Sequence, residues 1–291
     1  MVKAKSPPDN SEPSITEIYE DVRVIDVHED DIHVVSDDSG ISDNSTITTI
    51  QAGQKDLSDY LVTQSNKLVM ASYKLSLQEN RLILAAISKL DSRKIGMHPR
   101  KTLDQSTVVV EAVEFAKTFG ISNKKVYEEL KSATNNLFER KITQIDGQKT
   151  TKMRWVSKVV YHEGEGWVEL QFSPDVLNHL TLLKNNFSSS RLASISGLKT
   201  SYSQRIRMMC EMFVDTGLFR ISFDKFRESL QIPYKSYSDV KRRVLEPSLR
   251  EIRGKSDLII DCSVYKRGRS VTTLEFRIKR SPQRVLDLDD E

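Results

Sequence analysis

The stretch Asp239-Val-Lys-Arg-Arg-Val-Leu-Glu-Pro-Ser-Leu-Arg-Glu-Ile-Arg253 has the periodicity of an amphipathic helix with a charged outer face. A helix advances about 100° per residue, which places five apolar residues on one broad face: Val240, Val244, Leu245, Leu249 and Ile252. The opposite face is charged and carries Asp239, Arg242, Arg243, Glu246 and Arg250. Such a face suits a helix that reads DNA bases, because arginine can donate two hydrogen bonds to guanine and a carboxylate can accept one from cytosine. A solvated helix whose charges pair with one another fits the same pattern.

A basic hairpin follows this helix. Strand-forming residues fill positions 258–264 and 271–278, and Gly268 lies in the short turn between them. Three cations suited to a phosphate backbone lie at the tip: Lys266, Arg267 and Arg269. Upstream, residues 223–232 predict a short helix that ends at Pro233. Helix, turn, basic helix and basic hairpin, in this order, predict a winged helix.

The pattern occurs a second time, earlier in the chain. Residues 115–121 repeat the Phe-to-Ile spacing of residues 226–232, and a second helix is predicted at about residues 123–139. One face of that helix is apolar and carries Val126, Leu130, Ala133 and Leu137. Three strands are predicted after it, at residues 141–145, 153–161 and 167–172. The sequence therefore predicts an α+β fold of two tandem winged-helix domains.

Charge is distributed unevenly along the 291 residues, whose net charge is +3. Residues 1–59 hold 4 Lys and Arg against 14 Asp and Glu, whereas residues 60–280 hold 39 against 23. A basic body between acidic ends indicates a polyanionic partner. By composition the N-terminal extension is predicted to be disordered. An acidic arm that competes with DNA for the basic body, or docks a partner, is the alternative.

These observations predict four segments along the chain. They are an acidic extension (1–58), a first winged-helix domain (59–180), a second, main DNA-binding winged-helix domain (181–280) and an acidic tail (281–291). The first domain is expected to supply auxiliary DNA contact.

Composition and motifs argue against several classes of protein. No apolar run approaches the roughly 18 residues of a membrane span, and the N-terminus lacks the apolar core of a signal peptide. Cys210 and Cys262 have no metal-ligand spacing and are predicted to be buried thiols in a reducing compartment. Gly254-Lys255-Ser256 lacks the upstream glycine of a phosphate-binding loop. The sequence also shows no Ser/His/Asp or Cys/His arrangement typical of a catalytic site. We expect a soluble cytoplasmic protein that is not an enzyme and uses no cofactor or metal.

Several runs resemble the iteron-binding plasmid replication initiators of bacteria. They are Ser65-Asn-Lys-Leu68, Leu75-Ser-Leu-Gln-Glu-Asn-Arg-Leu-Ile-Leu84 and Arg242-Arg-Val-Leu-Glu-Pro-Ser-Leu-Arg-Glu-Ile252. Ser76 and Glu79, within the second run, also predict a capping box that starts a helix over residues 77–90. Residues 191–206 are similar to the segment that opens the second domain of that family. The resemblance covers about residues 60–280, in the order of the family.

The resemblance implies a function in plasmid replication. Members of this family bind direct repeats in double-stranded DNA at the origin, help to open it, and recruit host replication proteins such as the host initiator and helicase. Their dimers commonly repress the initiator's own gene, while monomers start replication, so a monomer–dimer equilibrium is implied. By the same resemblance, the first domain (59–180) is expected to be the site of dimerisation. A winged-helix transcriptional repressor that binds an inverted repeat as a dimer remains the alternative, because tandem modules fit both functions.

The resemblance also implies which residues of this chain contact DNA. By resemblance, Asp239, Arg242 and Arg243 lie on the major-groove helix, whose charged face also holds Arg250. Contacts to the DNA backbone are expected from Lys235, Ser236 and Ser238 at the start of this helix, and from Tyr202 and Arg205. Arg205 could equally pair with an acid at the surface. Weaker contacts of the first module are expected from Lys124, Lys125 and Arg154. Pro247 is expected to bend the basic helix, because its ring removes a helical hydrogen bond.

Overall fold

The computed structural model describes residues 56–90, 106–122 and 126–282. The first part contains β1 (Leu61–Ser65), α1 (Asn66–Met70), α2 (Leu77–Ser88), β2 (Thr107–Glu111), α3 (Ala112–Phe119), α4 (Val126–Phe138), β3 (Lys141–Asp146), β4 (Lys149–Arg154), β5 (Val156–His162), β6 (Trp167–Phe172), α5 (Pro174–Leu177) and β7 (Phe187–Arg191). The second part contains α6 (Ala193–Ser196), α7 (Ser201–Glu211), β8 (Leu218–Ser222), α8 (Phe223–Ser229), α9 (Tyr237–Val240), a π turn (Lys241–Leu245), α10 (Glu246–Lys255), β9 (Leu258–Arg267) and β10 (Ser270–Arg280). The predicted extension up to residue 55 and the end of the tail lie outside the described residues.

Each module places helices against a small antiparallel sheet. In the first, α3 and α4 come between β2 and the later strands of a sheet of order β2-β6-β5, and β3 and β4 form a separate hairpin. In the second, α8 and the helix of residues 237–255 likewise come between β8 and the hairpin strands of a sheet of order β8-β10-β9. The predicted α+β class and the repeated helix–helix–hairpin order are confirmed.

Local sequence signals set most of these boundaries correctly. Helix α2 begins with the predicted capping box, in which the Ser76 hydroxyl accepts from the Glu79 backbone N–H and the Glu79 carboxylate accepts from that of Ser76. Strand β6 matches the prediction at both ends. Helix α8 ends at Ser229, earlier than predicted, and Gln231 adopts a left-handed conformation with φ of 47° before Pro233 is reached.

The predicted strand over residues 153–161 is wrong, because two strands lie there. Strand β4 pairs with β3 and ends at Arg154, whereas β5 begins at Val156 and pairs with β6. Between them, the Trp155 side chain is buried and meets the Tyr73 ring edge-on, with ring centroids 5.0 Å apart. The chain therefore leaves one sheet and enters the next at a residue whose large apolar ring is buried in the core.

Residues 187–211 contact both modules. Strand β7 pairs with β1, near the start of the described chain, and α7 packs against both α1 and α10. The predicted domain boundary between residues 180 and 181 stays a prediction, but the chain passes between the modules through packed elements.

A buried charge network holds the end of β10 to α7. Arg207 contacts Asp257 at 2.7 Å and Glu211 at 3.1 Å, and both carboxylates also contact Arg280 at 2.6 Å. Burial by itself would raise the pKa of Asp257, but the charges of Arg207 and Arg280 hold that pKa below its ordinary value.

The predicted burial of the two cysteine thiols is confirmed for Cys210 and only partly for Cys262. Cys210 is buried and Cys262 half-buried, and both are free thiols. Over the described ranges, no helix is both long and apolar enough to cross a membrane.

Candidate nucleic-acid interface

The basic helix, residues 237–255, runs through α9, the π turn and α10 without interruption. Ser236 caps its first turn, and the Ser236 hydroxyl accepts from the Asp239 backbone N–H at 3.2 Å. Its predicted apolar face is confirmed, since Val240, Val244, Leu245 and Ile252 are buried and Leu249 is half-buried. The charged face is therefore directed away from the core.

Pro247 is accommodated by a widened turn of this helix. The Glu246 N–H donates to the Lys241 carbonyl, five residues back, and Pro247 follows immediately inside α10. A π turn takes up one extra residue, so the residues after it are rotated by about 100° relative to a regular α-helix. The direction of Arg250 relative to Arg242 therefore depends on this turn as well as on sequence spacing.

Asp239 organises the first turn of the charged face. Its carboxylate accepts from the Ser236 hydroxyl at 2.7 Å, and it lies 3.3 Å from Arg242 and 3.5 Å from Arg243. The Ser236 hydrogen bond, together with the two arginines, lowers the pKa of Asp239. The side chains of Arg242 and Arg243 remain 70% and 51% exposed, so both arginines are oriented by Asp239 and still accessible to a ligand.

Further polar residues surround the start of the basic helix. Lys235, Ser236 and Ser238 are exposed there, as predicted for backbone contacts. The guanidinium of Arg243 also lies 5.0 Å from the centroid of the Tyr234 ring, a cation–π distance that restricts its motion. Tyr202 is half-buried and packs against the core. Arg250 is exposed on α10.

The tip of the β9–β10 hairpin presents the second set of cations. Arg267 pairs with Ser270, which leaves the two-residue turn Gly268-Arg269, and Gly268 adopts a φ of 62° that favours glycine. The three tip cations Lys266, Arg267 and Arg269 are all exposed. None of the three forms an ion pair within the described residues, so their charges are available to an anionic partner.

Arg205 corrects the sequence prediction, because it cannot contact a DNA backbone. Only 4% of the residue is exposed. Its guanidinium donates four hydrogen bonds to main-chain carbonyls, those of Val69, Ala71, Tyr73 and Ser229. It also stacks 3.5 Å from the centroid of the Tyr73 ring. The first three carbonyls precede α2 and the fourth ends α8, so Arg205 joins the two modules.

The first module offers a different and weaker set of cations. Lys124 and Lys125 lie outside the described residues. Arg154 donates to the Phe138 carbonyl at 2.7 Å and contacts Glu139 at 3.2 Å, so it holds the end of α4 while remaining part-exposed. The turn between β5 and β6 carries Glu163 and Glu165, in contrast to the basic tip of β9–β10.

Two exposed lysines of the β3–β4 hairpin were not among the predicted contacts. They are Lys141 and Lys152. Lys141 is paired with Arg154 across the two strands, and Lys152 lies two residues from Arg154 on β4, so both lysines lie on the same face of the hairpin as Arg154. Alternating cations along two adjacent strands are a sequence signal that could have identified this face. In the parts of the chain that are described, no cluster of His, Cys, Asp and Glu is arranged to hold a metal ion.

Family models match most of the basic body. "Initiator Replication protein, WH1" matches residues 61–211, and "Initiator Rep protein, WH2" matches residues 222–278. The chain belongs to the initiator replication protein family. Its two modules are therefore the two winged-helix domains of a Rep initiator, as the sequence resemblance implied.

Several individual proteins are similar to this chain. An Escherichia coli protein named "Uncharacterized 27.6 kDa protein" is 22% identical over 223 residues, which are 72% of this Rep chain and 91% of that protein. The crystal structure of the Pi initiator protein in complex with iteron DNA has a TM-score of 0.65 and 19% identity, and the match covers 77% of this chain and 99% of that one. This likeness shows a shared fold. A solved WH1 domain of the replication protein MSBI1.176 is 28% identical over 35% of this chain and 75% of its own, with a TM-score of 0.29.

Proposed function

We propose that this Rep-family chain initiates plasmid replication by binding direct repeats in double-stranded DNA at the origin. The observation that carries the proposal is the pair of accessible cationic elements on the second winged helix. Arg242 and Arg243 are oriented on the basic helix, and the wing tip presents three unpaired cations. Family membership supports the same function.

The two elements have separate roles in the proposed complex. The basic helix enters the major groove, where arginine forks discriminate guanine, while the wing and the first turn of the helix contact phosphates. Each module reaches one face of a repeat, so a repeat of about two helical turns fits both. The fold shared with the Pi initiator, whose structure contains iteron DNA, is consistent with this arrangement.

Origin opening, in this proposal, is driven by binding energy and involves no bond cleavage. Bending a site costs about 1–6 kcal/mol, which added protein contacts must offset. The chain then recruits the host initiator and helicase. Dimers repress the initiator's own gene and thereby contribute to copy-number control, while monomers start replication. The family resemblance supports these steps, and the first module is the proposed dimerisation domain.

A nuclease footprint on DNA flanking the protein's own gene tests the proposal. We expect a phased ladder of protected direct repeats, each about two turns long. Protection of a single inverted repeat alone would contradict the initiator and favour a winged-helix repressor. Purified wild-type protein, titrated at fixed salt, is sufficient for this experiment, because the footprint itself reveals the repeat sequence.

A further inference from the structure

The outer face of the β8-β10-β9 sheet contains an acidic residue that is unexpectedly buried. Residues alternate between the two faces of a strand, and Phe276 and Leu274 of β10 point into the core. Glu275 between them therefore points outward, yet its side chain is only 2% exposed. Neighbouring side chains on the outer face cover it.

Three side chains converge on the Glu275 carboxylate. The Tyr265 hydroxyl donates to it at 2.6 Å, Arg220 at 2.7 Å and Arg277 at 3.3 Å. We call these four residues the outer-face cluster. The Tyr265 and Arg220 hydrogen bonds lower the pKa of Glu275 to about 2, so the carboxylate is ionised whenever DNA binding is measured. The Tyr265 and Arg220 bonds, at 2.6 and 2.7 Å to an ionised acceptor, belong to the stronger, charge-assisted class.

The cluster lies where the wing changes from three strands to two. Strand β8 pairs with β10 only over Thr273–Arg277, and Tyr265 is paired with Thr273. Beyond that pair the hairpin is a two-stranded ribbon with a register shift between Val271 and Thr273. Isolated two-stranded ribbons are marginally stable, and a bulge changes their direction. Tyr265 is therefore the last side chain that ties the ribbon to the rigid part of the sheet.

We propose that Glu275, acting through the Tyr265 hydroxyl, is a positioning residue that fixes the direction in which the wing presents Lys266, Arg267 and Arg269 to DNA. This inference rests on the proposed function. It also explains why a carboxylate lies within a basic DNA-binding module, where its charge alone opposes binding. The benefit of a fixed tip is that phosphate contacts form without first ordering three long side chains and their ribbon.

A purely electrostatic role and a positioning role of Glu275 predict opposite changes in DNA affinity for Glu275→Gln. If the carboxylate acted only through its charge, its removal would tighten DNA binding and release two arginines. The proposed role predicts weaker binding instead, by about threefold to tenfold. The matched control is Asp261→Asn, because Asp261 is an exposed acid on the same face, paired with Arg253 at 2.5 Å. The control is expected to bind DNA slightly more tightly than the wild type.

A second variant separates positioning from general stabilisation of the sheet. Tyr265→Phe preserves the ring and the net charge and removes only the hydroxyl. In full-length protein with a labelled random-sequence duplex, between about 50 and 200 mM salt, it is expected to lower the salt slope by about one unit. In a background carrying Arg267→Ala and Arg269→Ala, the same change should have no further effect, because the residues that it positions are already absent.

Each outcome decides the inference. Weaker binding by Glu275→Gln and loss of the Tyr265→Phe effect in the tip-variant background would establish it. Tighter binding by Glu275→Gln, or a Tyr265→Phe effect of equal size in that background, would overturn it. If Glu275→Gln does not fold, as judged by thermal unfolding, the Tyr265→Phe cycle decides alone. A wild-type protein that binds no DNA at low salt would instead overturn the proposed function, and the inference with it.

Discussion

Replacing Arg205 with alanine should destabilise the junction between the two winged helices and leave the salt dependence of DNA binding unchanged. The guanidinium is bonded at 2.8–3.1 Å to four main-chain carbonyls, three before α2 and one at the end of α8. Alanine would remove the guanidinium donors from this buried site, where the Ser229 carbonyl would still accept from the Tyr73 backbone N–H. An unsatisfied buried polar group costs about 1–3 kcal/mol.

The expected loss is smaller than the sum of these bonds. Four hydrogen bonds from a charged donor, at about 1.5–3 kcal/mol each, would total roughly 6–12 kcal/mol. Burial lowers the pKa of Arg205, which shows that placing this charge in the interior is itself costly. Relief of this cost on substitution offsets part of the sum, so we expect a net loss of about 4 kcal/mol. A loss of about 4 kcal/mol corresponds to a decrease in Tm of about 8–16 °C for a body of this size.

Thermal unfolding followed by circular dichroism measures this effect. Arg205→Lys should lose less, because an ammonium keeps the charge and three donors but lacks the planar fork. Arg250→Ala is the matched control, since Arg250 is exposed, and its Tm should not change. An unchanged Tm in Arg205→Ala, together with a salt slope lower by about 0.9, would refute the structural role and restore a phosphate contact.

Four further outcomes are expected. Arg242→Ala or Arg243→Ala should cost about 1–3 kcal/mol of specific binding and relax base preference, whereas an equal loss on random DNA would contradict base readout. Lys266→Ala should weaken binding to all sequences and reduce the salt slope by about one unit, and an unchanged slope would remove the wing from the contacts. Deleting residues 1–55 should preserve the fold and, if the arm competes with DNA, tighten binding at low salt; loss of folding would show that the arm belongs to the core. The folded-state pKa of Asp257 is lowered, so the ionised carboxylate stabilises the fold above about pH 4, and this stabilisation is lost as pH falls through the folded-state pKa. The difference in unfolding free energy between the wild type and Asp257→Asn should therefore shrink in acid. A difference that stays constant with pH would contradict this role.

Local patterns in the sequence were enough to predict most of the elements and their buried faces. Apolar spacing placed Val240, Val244 and Ile252 in the core, and the capping box located the start of α2. Gly268, in the predicted turn of the basic hairpin, has a positive φ. These signals are local, since helix amphipathy and turn conformation depend on residues a few positions apart. The family resemblance also rests on local information, because short contiguous runs of residues carry it, and it was confirmed.

The roles of the charged side chains depend on contacts between distant parts of the folded chain. Arg205 was predicted to face DNA, yet its carbonyl partners at Val69 and Ala71 lie more than 130 positions earlier in the chain. Glu275 lies on an outward face and is buried only because its neighbours fold over it. Spacing specifies which side of an element is apolar, but the partner of a buried charge comes from distant segments that converge during folding. A cation on the surface and one in the interior therefore look alike in the sequence until those segments are brought together.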